Sequence, residues 1–262
     1  MQTKSFIKHI EDLRWVLVRS LCGILIFTAL ALVFNQVLFD TIIFGPINSN
    51  FLTYEIYCSL LNNYSLDPFL CIEKFNFILQ NRTMEGQISL FIYTSLTFGL
   101  IASFPLTLYQ FWNFIEPGLY SNEKKFGKIF IFIASLLFFT GVLFGYFIIV
   151  PLSINFLTNF QISAIVSNQI DVSSYISLLR TTLLASGIVF NLPIMMYLLN
   201  KLNIVNYQIL NSYRKYAYVV MLILSAIITP PDILSQIILV VPLVILYEIG
   251  VYVSKFTKAY AT

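Results

Sequence analysis

The chain has 262 residues, 58% of them hydrophobic and only 10% charged, whereas a water-soluble domain carries about 25% charged residues. That much apolar surface cannot be covered in water, so the composition excludes a soluble globule and points to an integral membrane protein. A net charge of +3 with no basic cluster offers no nucleic-acid surface, and one histidine with three scattered cysteines removes most zinc and haem chemistry.

About 20 apolar residues cross a bilayer as a helix. The first such run, 16–36, follows Lys4, Lys8 and Arg14, with Glu11 and Asp12 among them. Ala29-Leu30-Ala31 imitates a cleavage site, but the apolar run continues past it and acids precede it, so an uncleaved first span is expected. The long loop that follows holds Asp40, Glu55, Asp67, Glu73 and Glu85 against Lys74 and Arg82. The second span, 88–110, carries Pro105. Behind it, YQFWNFIEPGLYSNEKKFGK at 109–128 mixes Lys124, Lys125 and Lys128 with Glu116 and Glu123 among aromatic side chains.

The third span, 129–150, contains GVLFG, whose Gly141 and Gly145 form a small face suited to close helix packing. No lysine or arginine occurs at 151–174. The fourth span, 176–198, includes Asn191 and Pro193, and the loop 199–215 carries Lys201, Arg214 and Lys215. The fifth, 216–229, reaches only about 21 Å at 1.5 Å per residue, against roughly 30 Å of hydrocarbon. Either the bilayer thins there or the helix runs a turn further. The turn TPPD at 229–232 is expected to be tight, with Asp232 capping the next helix through the N–H of Leu234 or Ser235. The sixth span, 237–253, holds Pro242 and Glu248, and Lys255 and Lys258 follow. Each span proline predicts a kink.

Lysine and arginine set orientation. They are abundant before the first span, at 111–128, at 199–215 and after the last span, and sparse in the loops between. The expected topology is therefore six helices with both ends in the cytoplasm. No HExxH, no GxSxG and no histidine-containing triad is present, so no enzyme is expected. The acids on the cytoplasmic side, Glu116, Glu123, Glu11 and Asp12, suit a guanidinium, which pairs with a carboxylate through two parallel hydrogen bonds. The alternative is that they pair with nearby Lys124, Lys125 or Arg14. Glu248 has two readings as well: a functional polar face, which would suit an ion-coupled secondary transporter, or a structural carboxylate near the inner interface.

HIEDLR at 9–14, FGP at 44–46, YQFWNFIEPGLYSNEKK at 109–125, TPPDILSQ at 229–236 and PLVILYEIG at 242–250 closely resemble the TatC family, in order over nearly the whole chain. That family is the polytopic receptor subunit of the twin-arginine (Sec-independent) protein translocase, and the long first outer loop is similar to that of Bacteroidota-type members. The resemblance implies an all-α membrane protein, one domain over residues 1–262 in a glove-like concave arrangement with the last two helices short. It implies a multi-pass protein of the bacterial inner membrane that binds twin-arginine signal peptides of folded cargo. It further implies an oligomer that assembles with single-span TatA- and TatB-type partners in the lipid bilayer, driven by the proton-motive force and without a cofactor.

By the same resemblance Glu123 matches the loop glutamate that engages the arginine pair, with Phe114, Pro117 and Tyr120 around it. Asp12, with neighbouring Glu11, stands where the family has glutamate. Asn191 replaces a buried glutamate of many members and cannot carry a charge. Arg14, Pro46, Asn191, Asp232, Gln236 and Glu248 fall to structural or partner-contact roles. Independently, Cys58 and Cys71 share the first outer loop, in an oxidising compartment if the orientation holds, and are expected to form a disulfide. Cys22 lies inside a span.

Overall fold

A computed structural model describes residues 6–64, 78–118, 127–160, 169–201, 205–229 and 233–257. Tyr120, Glu123, Cys71 and Asp232, with its expected capping bond, lie outside them. Five runs are long and apolar enough to cross a membrane: Ile10–Val33, Gly86–Gly118, Gly127–Asn159, Val172–Lys201 and Ser235–Lys255. They match five of the expected spans. The remaining one, expected at 216–229, corresponds to a helix of 15 residues, Arg214–Ile228, which starts two residues earlier and ends one earlier, about 22 Å long. The chain divides into two units, residues 1–38 with 87–136 and residues 39–86 with 137–262.

In the first unit, helix α1 (Phe6–Val33) takes in the whole HIEDLR stretch, so the helix begins ten residues before the expected span. The membrane sets where a helix must be apolar, not where its backbone bonding stops. Helix α3 (Gly86–Ile115) continues through Pro105. The two helices approach closely at Gly99, where an added Cβ would lie 2.7 Å from the Thr28 backbone nitrogen and 2.9 Å from its Cα. Val16 and Ser20 of α1, and Thr94, Ser95, Ile101 and Ser103 of α3, are buried. Small polar side chains of this kind let membrane helices pack without bulky interdigitation.

The second unit begins inside a π-helical run, Val37–Ile43, and continues through a 3-10 turn at Gly45–Ile47, followed by α2 (Leu52–Tyr64). Irregular backbone leaves carbonyls without helical partners, and buried carbonyls need donors. Tyrosines supply them. The Tyr146 hydroxyl donates to the Ile42 carbonyl at 2.7 Å, Tyr175 to Ile43 at 2.5 Å and Tyr54 to Pro46 at 3.0 Å. Pro46 itself is buried, so the FGP stretch is a packed corner. Burial pushes the Tyr54 phenol well above its usual range.

The expected third span, 129–150, extends further than the hydropathy indicated. Helix α4 (Gly127–Phe144) passes through a π-helical turn, Gly145–Ile149, into α5 (Val150–Asn159). Pro151 does not end it. The proline occupies the first turn of α5, where a missing N–H costs little. Strands β1 (Ile78–Gln80) and β2 (Gln169–Asp171) pair in parallel, Leu79 opposite Ile170. This short pair is an addition to an otherwise helical fold.

Helix α6 (Val172–Phe190) starts on Asp171, whose Oδ1 accepts the Ser173 N–H at 2.8 Å. It is interrupted at Asn191, and α7 (Leu192–Lys201) resumes with Pro193 in its first turn. Of the three span prolines, only Pro193 accompanies a break; Pro105 and Pro242 lie inside continuous helices. The GVLFG face packs on α6 as its spacing suggests. An added Cβ at Gly141 would fall 2.6 Å from the Ser186 carbonyl oxygen, and one at Gly187 would fall 2.7 Å from the Phe138 ring.

After α8 (Tyr207–Ser212) and α9 (Arg214–Ile228), α10 (Ile233–Thr257) completes the unit. Its Leu239, Leu243, Tyr247 and Val251 join Ile149, Phe190, Met196 and Met221 in the core. Near its far end the Asn200 amide donates to the Ser254 carbonyl at 2.9 Å, tying α7 to α10.

Candidate functional site

The loop of 109–128, with Glu116 and Glu123 among its lysines, leaves α3 through a 3-10 turn, Glu116–Gly118, and meets α4 at Gly127. Its two ends are held by one side chain. Trp112, 8% exposed, lies with its ring 4.9 Å from that of Phe130. Gly127 sits directly against the indole: an added Cβ would meet its Nε1 and lie 2.5 Å from Cε2. Only a glycine permits that approach. The last turn of α3 and the first of α4 are thereby locked together, and the loop between them hangs from a fixed base.

Around this base, Phe114 and Glu116 are half-buried and Pro117 is exposed. On α1 of the same unit Glu11 and Arg14 are exposed and Asp12 is half-buried. Glu123 lies four residues before the start of α4. Trp112 and Gly127 are the pair that sequence reading did not single out. A tryptophan ending an apolar run reads as an interfacial anchor, and its glycine partner is fifteen residues away.

The other acid, Glu248, takes the structural course. Its carboxylate pairs with the Arg214 guanidinium at 3.2 Å and accepts the Tyr218 hydroxyl at 2.5 Å. Beside it the Tyr247 hydroxyl donates to the Leu210 carbonyl at 2.9 Å. Gln236 links α10 to α9 by donating to the Leu222 carbonyl at 3.3 Å. Asn191 donates to the Gly187 carbonyl at 3.0 Å, while its buried Oδ1 has no hydrogen-bond partner among the described residues. Cys58 is disulfide-bonded and Cys22 is free and exposed.

Multiple apolar helices, two of them joined at their ends by Trp112 and Gly127, define a polytopic helical membrane protein. The comparisons place it further. Residues 8–242 match the family model described as Sec-independent protein translocase protein (TatC). A relative from Blattabacterium sp. subsp. Periplaneta americana, named Sec-independent protein translocase protein TatC, is 40% identical, covering 97% of this chain and 96% of its own. One of the same name from Aquifex aeolicus is 34% identical over 95% of this chain and 93% of its own. A crystal structure titled Twin Arginine Translocase Receptor- TatC in DDM superposes with a TM-score of 0.72 at 33% identity, covering 94% of this chain and 99% of that one. A second structure of that receptor gives 0.69 at 31% identity, covering 95% and 99%.

The chain belongs to the TatC family and is a component of the Sec-independent protein translocase. The reading as an ion-coupled secondary transporter gains no support, and Glu248, its one sequence argument, is paired with Arg214.

Proposed function

We propose that this chain is the signal-peptide receptor of a twin-arginine translocase, multi-pass in the bacterial inner membrane, with both termini and the 111–128 loop in the cytoplasm. The fixed base of that loop, Trp112 against Gly127 and Phe130, is the observation that carries the reading. A loop that must present a carboxylate to an arginine pair loses less freedom on binding when its ends are already held. Glu123 is the principal acceptor, with Asp12 and Glu11 contributing charge and Phe114, Pro117 and Tyr120 forming the surrounding surface. Aspartate at position 12 keeps the charge with one methylene less reach, and Glu11 beside it offsets the loss.

Residues 1–262 act as one membrane domain in this reading, with α9 as a sixth, short span. Arg14, Pro46, Asn191, Asp232, Gln236 and Glu248 hold the structure or meet partner helices. The receptor oligomerises and recruits single-span TatA- and TatB-type subunits; it transports folded cargo on the proton-motive force and catalyses no covalent step. The test is site-specific crosslinking from residue 123 to a synthetic twin-arginine signal peptide. Adducts that disappear when the arginine pair is replaced by lysines are expected. Equal crosslinking to both peptides would overturn the assignment.

A further inference from the structure

A groove of about 500 Å³ opens on the second unit between α8, α9 and the last turns of α10. Its wall along α10 is aliphatic: Ile245 and Ile249 are 54% and 47% exposed. Glu248, between the two isoleucines in sequence, brings its Arg214 partner to the middle of the groove, and Tyr252 and then Lys255 follow along α10. From Ile245 to Lys255 the helix rises about 15 Å, half of a roughly 30 Å hydrocarbon layer. Along α10 the isoleucines flank the neutralised Glu248–Arg214 pair, and Tyr252 and then the cation Lys255 follow, so an aliphatic stretch gives way to tyrosine and a cation as it does from the middle of a leaflet to its headgroups.

The charges also have a direction. Two cations face one carboxylate, and that carboxylate is occupied by Arg214 and Tyr218. Lys255 is exposed and has no ion-pair partner among the described residues. Arg214 gives one nitrogen to Glu248, and a guanidinium has five N–H donors. A surplus positive charge at the end of an aliphatic channel complements a phosphate ester on two hydrocarbon chains. A polar peptide would leave Ile245 and Ile249 without a matching partner.

We propose that this groove is a binding site for an anionic phospholipid. The phosphate lies at Lys255, and one acyl chain runs along Ile245 and Ile249. Lys255 selects for net negative charge, while the Glu248–Arg214 pair keeps the guanidinium in place.

The test uses the full chain, delipidated in detergent and titrated with dioleoylphosphatidylglycerol or dioleoylphosphatidylcholine, with bound lipid counted by native mass spectrometry. The phosphatidylglycerol is expected to bind about fivefold more tightly, the contribution of one interfacial lysine. Lys255→Gln should erase the difference, Lys255→Arg restore it, and Lys215→Gln, outside the groove, leave it unchanged. Equal binding of the two lipids, or a preference that survives Lys255→Gln, would overturn the proposal. So would displacement of the lipid by millimolar glycerol phosphate, which would make it a site for a free phosphate. Loss of a co-purified single-span protein in Lys255→Gln with lipid binding unchanged would assign the groove to a protein instead.

Discussion

Gly127→Ala tests whether the base of the acidic loop is as tightly built as its geometry implies. The added methyl meets the Trp112 indole, 2.5 Å from Cε2 and 2.8 Å from Cζ2, against a comfortable carbon–carbon separation of about 3.5–4.0 Å. The indole must retreat by roughly 1 Å, and it cannot do so by rotating a flexible tip, because the ring is rigid and packed on Phe130. Overpacking of this kind costs about 1–3 kcal/mol, while the alanine returns at most about 1 kcal/mol in helix propensity. If half of a 2 kcal/mol strain falls on the loop conformation that binds, signal-peptide affinity drops by about fivefold.

Two tryptophans are present, and Trp15 is 55% exposed. In a Trp15→Phe background the emission reports Trp112 alone. The expected result is a red shift of that emission in Gly127→Ala together with weaker peptide binding. Trp112→Phe should restore peptide binding in the double variant, giving strong non-additivity. Unchanged emission and binding in Gly127→Ala, or additive effects in the double variant, would refute the role assigned to the clamp.

Glu123→Gln keeps size and removes charge, and loss of a charge-assisted pair should weaken signal-peptide binding about 10- to 150-fold. Glu116→Gln should be mild; binding to detergent-solubilised protein, with yield as control, measures both. Tyr54→Phe leaves the buried Pro46 carbonyl without its tyrosine donor and also removes the 3.3 Å bond to the Pro151 carbonyl. It should cost about 1–3 kcal/mol, seen as a lower melting temperature in detergent. Pairing of Cys58 with Cys71 closes a loop of about 14 residues and should stabilise the outer segment by roughly 3 kcal/mol. Neither thiol should label with maleimide in intact cells until a reductant is added.

Helix positions were legible because membrane crossing demands long apolar runs, and the Gly141–Gly145 face announced its packing through spacing alone. Helix ends were not. The stretches 6–15 and 151–159 are helical outside the apolar windows, since backbone bonding continues wherever side chains permit, and Pro151 fell where a helix restart tolerates it. Strands of three residues carry too little pattern to be read. At the site, acids and aromatics were visible, but the lock between Trp112 and Gly127 joins two helices that local pattern treats separately. Glu248 stayed ambiguous for a similar reason: Arg214 counted as a positive-inside marker, and only the fold brings it to the carboxylate.

The run Gly86–Gly118 has 33 residues, about 50 Å of helix. Leaning it by 40°, the upper end of what membrane helices adopt, still leaves it about 8 Å longer than the hydrocarbon layer. Its early part is apolar almost at once, from Ile88, whereas Gln110, Asn113 and Glu116 gather near the other end, so the excess emerges there. Trp112 and the end of this helix are thus carried to the level of the phosphates. A ligand with an apolar segment of its own, once adsorbed to the bilayer, reaches such a target by diffusing in two dimensions. Encounter then depends on how much ligand the membrane holds per unit area, with the concentration in solution entering only through that partition.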